Sequence, residues 1–123
     1  MFSVSIMSKI KLETIWQHKV VLPYILNDLR QKIENITPVE KIYLFGSRAK
    51  TPLEDWYRLE GKDWDIIVQA GCKLTNTQIW TTGKNYHIDL YVVSEEQAKR
   101  LLQNTGKTLE LFPRNELEEL TKT

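Results

Sequence analysis

The chain has 123 residues, 41% of them hydrophobic and 27% charged, with a formal net charge of +1. These values describe one globular domain, 1–123, with room for a single core and no second module. They exclude a protein that coats a nucleic-acid backbone or an anionic membrane through net charge, and no apolar run approaches the roughly 20 residues of a membrane span.

The opening stretch MFSVSIMSKIKLE has an apolar patch but neither a basic n-region nor a small-residue cleavage site, so no signal peptide is expected. From residue 22 the apolar positions are Leu22, Ile25, Leu26, Leu29, Ile33 and Ile36, with Asn27, Asp28, Arg30, Gln31 and Glu34 between them. That spacing predicts a one-faced helix. Pro23 fits its first turn and separates it from a weaker helical stretch at 12–18, while Thr37-Pro38 ends it. Residues 41–45 form a near-continuous apolar strand, as expected of one covered on both faces. The stretch 46–62 reads as turn and loop, with one helical turn after Ser47.

Residues 63–70 are the second strand. The polar segment 71–84 is irregular, with a short edge strand expected over 78–81, and 86–93 is the third strand. Ser94-Glu95-Glu96-Gln97 has the form of a capping box and opens a helix to about 104, with Gly106 past its end. A last helix is expected over 115–120. The order predicts an α/β (α+β) domain with helices packed on a mixed, three- to five-stranded sheet. The lone Cys72 has no disulfide partner and no companions at metal-ligand spacing. It is expected as a small structural side chain in a reducing, cytoplasmic setting.

Chemistry concentrates at three places. In "LFGSRAK" an apolar strand stops at Gly46-Ser47, with Arg48 and Lys50 directly behind. A strand-terminal glycine lets a phosphate approach main-chain N–H groups, Ser47 offers a hydroxyl, and Arg48 or Lys50 can balance charge or be merely solvated. In "KDWDIIVQ", Asp63 and Asp65 lie two apart on a strand, so their side chains share a face about 6.5–7 Å apart at the backbone. Carboxylates aimed together call for a cation such as Mg²⁺, although D-x-D is also common as the solvated start of a strand. In "YHIDLYVV", Asp89 sits among Ile88, Leu90, Val92 and Val93, where an isolated carboxylate is costly unless paired, metal-bound or at an exposed edge.

His87 shares the strand face of Asp89 and reads as a hydrogen-bonded structural histidine or a neighbour of the acids. Trp16, Trp56, Trp64 and Trp80 share no periodic stripe and are expected in the core or in loop packing. No Lys-Ser/Thr follows a suitable glycine loop, which removes a Walker-type nucleotide site.

Phe45-Gly46-Ser47, then Asp63-Trp64-Asp65, then Asp89 resembles the nucleotidyltransferase superfamily of DNA polymerase β type. That superfamily carries hG[GS], [DE]h[DE] and a third acid on a later strand. More narrowly, "FGSRAK…DWDIIV" is similar to the minimal nucleotidyltransferase (MNT) family, short prokaryotic proteins often acting as antitoxins to HEPN-domain ribonucleases. The motif-bearing core is 41–93. The resemblance implies a small polymerase β-type fold in which Asp63, Asp65 and Asp89 are catalytic and hold Mg²⁺ or Mn²⁺. Gly46, Ser47, Arg48 and Lys50 would bind the nucleotide, with ATP as donor and AMP moved to a hydroxyl acceptor on a HEPN-type partner. The chain departs from the family at Lys50-Thr51-Pro52 and Lys62, where a glycine and a serine are usual, and its 51–62 loop is longer. Trp56, Tyr57 or Arg58 in that loop serve packing or base stacking, with packing expected. A different class of function is a non-catalytic module that neutralises a partner by masking it. A third is a free-standing enzyme acting on a small molecule or an RNA end, the near-neutral charge lowering the RNA version.

Overall fold

The computed structural model describes residues 21–58, 63–81 and 87–121, so the expected helical stretch at 12–18 and the end of the long loop lie outside the described residues. The amphipathic run from residue 22 is helical, in two geometries. A π-helical segment, Tyr24–Leu29, continues directly into helix α1, Arg30–Glu34. Ile25, Leu29 and Ile33 recur every fourth residue and are all fully buried through the change of pitch. Ile36, expected on the same face, is 60% exposed because the helix ends before it, with the Thr37 N–H donating to the Ile33 carbonyl at 2.9 Å.

The remaining elements are strand β1 (Val39–Phe45), helix α2 (Gly46–Lys50), a 3-10 turn (Leu53–Arg58) and strand β2 (Asp63–Ala70). A second 3-10 turn (Thr77–Trp80), strand β3 (His87–Val93), helix α3 (Glu95–Asn104), strand β4 (Leu109–Phe112) and helix α4 (Glu116–Thr121) follow. Among the described residues the sheet is four-stranded and mixed, in the order β3-β2-β1-β4. β1 runs antiparallel to both β2 and β4, and β2 runs parallel to β3. The expected α+β domain with a mixed sheet is therefore what the chain forms. Among the described residues no helix is long and apolar enough to cross a membrane.

Two expectations are corrected. Residues 78–81 do not make an edge strand: Asn76 takes a left-handed φ of 57° and Thr77–Trp80 closes as a 3-10 turn, with the Thr81 N–H donating to the Gln78 carbonyl at 3.0 Å. Cys72 lies exposed on the turn after β2 and contributes nothing to the core. β4, by contrast, is a strand that the sequence reading does not contain. It is four residues long, too short to show a period, and the Glu116 carboxylate accepts from the Glu110 N–H at 2.6 Å where α4 folds back on it.

Strand alternation divides the side chains between two faces. One face carries Ile42, Leu44, Trp64, Ile66, Val68, Ile88 and Val92 into the main core beneath the π-helical segment, α1 and α4. The other carries Ile67 and Val93, which meet Ala98, Leu101 and Leu102 of α3, with Tyr43 and Phe45 at the margin. α3 is held at its start by a complete capping box between Ser94 and Gln97. It covers the second face only at the end where β2 and β3 finish. The end where both strands begin carries the acids.

The long loop packs inward. Trp56 is 1% exposed, sits edge-on to Trp64 with ring centroids 5.7 Å apart, and donates its indole N–H to the carbonyls of Arg48 and Thr51. This is loop packing, as expected of this tryptophan, and leaves its ring no exposed face for a base. Trp56→Ala should cost about 3–5 kcal/mol of stability. Trp56→Phe, which keeps a ring but not the N–H, should cost about 1–3 kcal/mol for the two carbonyls it leaves short of a donor. Urea unfolding midpoints of the three proteins check this order.

Candidate functional site

The parallel register of β2 and β3 sets the site. Asp63 lies beside His87 and Asp65 beside Asp89, while β1 brings Phe45 opposite Asp65. Four polar side chains therefore form two adjacent rows on one face, and the residue that follows β1 is Gly46. The Nδ1 atom of His87 is 3.2 Å from Asp63 Oδ1 and 3.6 Å from Asp89 Oδ1. One ligand atom each from Asp63, His87 and Asp89 falls within 4.8 Å of the others, an arrangement able to hold a metal ion. Sequence reasoning placed Asp63, Asp65 and Asp89 in that role and read His87 chiefly as structural. The signal for His87 was its two-residue spacing from Asp89, matching that of Asp63 from Asp65; the parallel register that aligns the two pairs was not visible.

The exposure of Asp63 and Asp89 matches the strand-start and exposed-edge alternatives. The Asp89 side chain is 46% exposed: among the described residues β3 is an edge strand, and the isolated bridge to it is from Leu74 to Val92, beyond the acid end. Asp63 is 61% exposed. Asp65 lies on an inner strand, between β1 and β3. Burial raises its pKa above the usual carboxylate range, and the charge of Asp89, a hydrogen bond with it and the charge of Asp63 push the same way, against a smaller opposing effect of His87.

Gly46 is fitted to Asp65. Its φ is +74°, and a Cβ built there would overlap the Asp65 carboxylate, lying 2.9 Å from its Cγ and 3.2 Å from its Cβ. The turn therefore excludes a side chain twice, by backbone conformation and by the acid packed against it. It opens α2, for which Phe45 is an N-cap without a side-chain hydrogen bond, so the first N–H groups have no cap from that residue. Ser47 and Lys50 are exposed beside it, and Gly106 of the α3–β4 connection lies near the Lys50 side chain.

Arg48 does not project outward with them. It is 3% exposed, its Nε donates to the Asp63 carbonyl at 2.9 Å, and its guanidinium lies 5.1 Å from the Trp56 ring centre and 4.9 Å from that of Trp64. Burial lowers its pKa to about 10 against the raising effect of Asp63 and Asp65, so it stays charged at neutral pH. It acts from beneath the acids. Comparison with protein-family models, with curated proteins and with solved structures finds no match for this chain.

Two measurements test this geometry. Gly46→Ala should cost about 1–3 kcal/mol from its backbone conformation alone, with a further loss from displacing the Asp65 carboxylate. In a double-mutant cycle with Asp65→Ala the combined loss should fall short of the sum by about 0.5–3 kcal/mol, because removing the carboxylate relieves the overlap. The second concerns pH. An acid whose pKa is raised by folding binds more protons folded than unfolded, so its effect on stability becomes unfavourable as pH rises from the ordinary carboxylate range through the raised value. With metal chelated, Asp65→Asn should therefore be more thermostable than the wild type at pH 7. The difference should shrink as pH falls to 4, as read by melting temperature across that range.

Proposed function

We propose that this chain is a metal-dependent nucleotidyltransferase, moving the nucleoside monophosphate of a triphosphate, AMP from ATP, to a hydroxyl on a partner protein. One observation carries the reading: the carboxylate of Asp65 is packed directly against Gly46, so the acid rows and the side-chain-free turn are a single surface. The resemblance of Phe45-Gly46-Ser47, Asp63-Trp64-Asp65 and Asp89 to the polymerase β-type nucleotidyltransferases supplies the chemistry that this surface would perform.

The donor set suits divalent metal, with carboxylates from two strands converging and no side chain at the turn to fill the approach. Asp63, Asp65 and Asp89 would hold Mg²⁺ or Mn²⁺, which supplies charge neutralisation at the triphosphate and lowers the pKa of the acceptor hydroxyl. Gly46 and Ser47 offer main-chain N–H groups and a hydroxyl to the phosphate tail, and Lys50 an exposed ammonium. Arg48 keeps the turn against β2 and offsets part of the acids' repulsion from below. Catalysis on this reading is positioning and electrostatic stabilisation of in-line attack, with pyrophosphate leaving. The partner would be a small helical HEPN-type protein in the same compartment, the cytoplasm.

A masking module that binds such a partner without chemistry is the second reading. The burial of Arg48 favours it, since that residue is withdrawn from the surface where a triphosphate would meet it.

Calorimetry with ATP and Mg²⁺ should show binding that Asp63→Asn with Asp65→Asn abolishes at an unchanged fold. Incubation with the protein encoded by the neighbouring gene, labelled ATP and Mg²⁺ should label that protein and release pyrophosphate. Asp89→Ala should lose at least 100-fold in labelling while still forming the complex. A wild type that binds its partner and labels it with none of the four nucleotides would establish masking instead.

A further inference from the structure

His87 is the side chain at this end of the sheet that nucleotidyl transfer does not require. Its Nδ1 atom faces two carboxylates at once, 3.2 Å from Asp63 and 3.6 Å from Asp89, from a position that the β2–β3 register fixes directly beside Asp63. The imidazole is 59% exposed and the main core lies on the opposite face of the sheet, so it fills no packing role. Among the described residues, Asp63, His87 and Asp89 are the group whose ligand atoms lie mutually within 4.8 Å, and Asp65 is not part of it.

A cation held by these three meets one nitrogen and two oxygens. Mg²⁺ is bound through oxygens, usually one or two carboxylates with water and phosphate, and gains little from an imidazole. Imidazole with carboxylates suits the first-row transition ions, whose affinity for nitrogen-containing sites rises along the series to copper and remains high at zinc. The exposed position also leaves coordination places open to water or substrate, as at catalytic rather than closed structural sites.

We propose that Asp63, His87 and Asp89 bind a divalent first-row transition ion of the cobalt–zinc class in preference to Mg²⁺, with the His87 imidazole as a direct ligand. The site shares Asp63 and Asp89 with the transfer reading and refines its metal, but it needs no nucleotide. Loss of ATP binding with ion binding retained would sink the transfer reading alone.

The test uses the full chain and Co²⁺ alone. Calorimetry should show Co²⁺ binding at least tenfold tighter than Mg²⁺, and proton NMR should show a paramagnetically shifted, solvent-exchangeable imidazole N–H in the Co²⁺ form. His87→Asn should lose that signal and at least tenfold in Co²⁺ affinity, with Mg²⁺ affinity changed less than threefold and the metal-free melting temperature unchanged. His18→Asn, at the chain's other histidine, should leave both readouts as in the wild type. A smaller loss of Co²⁺ affinity in His87→Asn, an equal loss for both ions, a signal that follows His18, or no Co²⁺ binding by the wild type would each overturn the proposal.

Discussion

The Arg48 guanidinium joins three segments that meet beneath the acids. It belongs to α2, bonds the carbonyl of the first residue of β2, and lies against one tryptophan from the loop and one from the strand. A buried arginine is tolerated when its charge meets hydrogen-bond acceptors, aromatic faces and nearby carboxylates, and the structure provides each of these. The consequence reaches the surface. The tie of α2 to the start of β2 adds to the pairing of Phe45 with Asp65, and together they place Gly46 against the Asp65 carboxylate.

That arrangement is unfavourable taken by itself. Three carboxylates on two neighbouring strands repel one another, and burial first, then the charges of Asp89 and Asp63, push the one on the inner strand toward its protonated form. A sequence selected only for stability would not place Asp65 beside Asp89 across a parallel pair and then leave out a side chain at Gly46 to make room. Local unfavourable choices that the surrounding fold over-determines are where function is expected. A cation would turn the repulsion into attraction, and on the proposal made above His87 would add a nitrogen to its oxygen ligands.

Coverage of the sheet decides where such chemistry could occur. α3 packs over Ile67 and Val93 and seals the finishing ends of β2 and β3. The starting ends of the same strands remain uncovered by α3, next to a turn without a side chain. The face toward the main core is closed along its length by Trp64, Ile66, Val68, Ile88 and Val92. One sheet thus presents a sealed half and an accessible half, and the alternation of a few residues puts Asp63, Asp65 and Asp89 on the accessible one.

How much of this could be read without coordinates follows from the range of the forces involved. The helix from residue 22, the strands carrying the acids and the capped helix after Ser94 were legible because periodicity, capping and apolar runs act over neighbouring residues. The i and i+2 spacing likewise placed Asp63 with Asp65, and His87 with Asp89, before any fold was known. β4 escaped notice because four residues show no period, and 78–81 misled because the left-handed Asn76 turned the chain out of a strand. The remaining facts are set by contacts between distant segments. Pairing with β2 chose the exposed-edge alternative for Asp89 and left Asp65 on an inner strand, where burial raises its pKa. The packing of two tryptophans took Arg48 from the surface into the interior. The amino-acid sequence by itself determined which side chains share a strand face, because that depends on backbone geometry alone. Only the tertiary structure decided which strand lies beside which, and so which charges meet, because register between strands is chosen by the packing of the whole core.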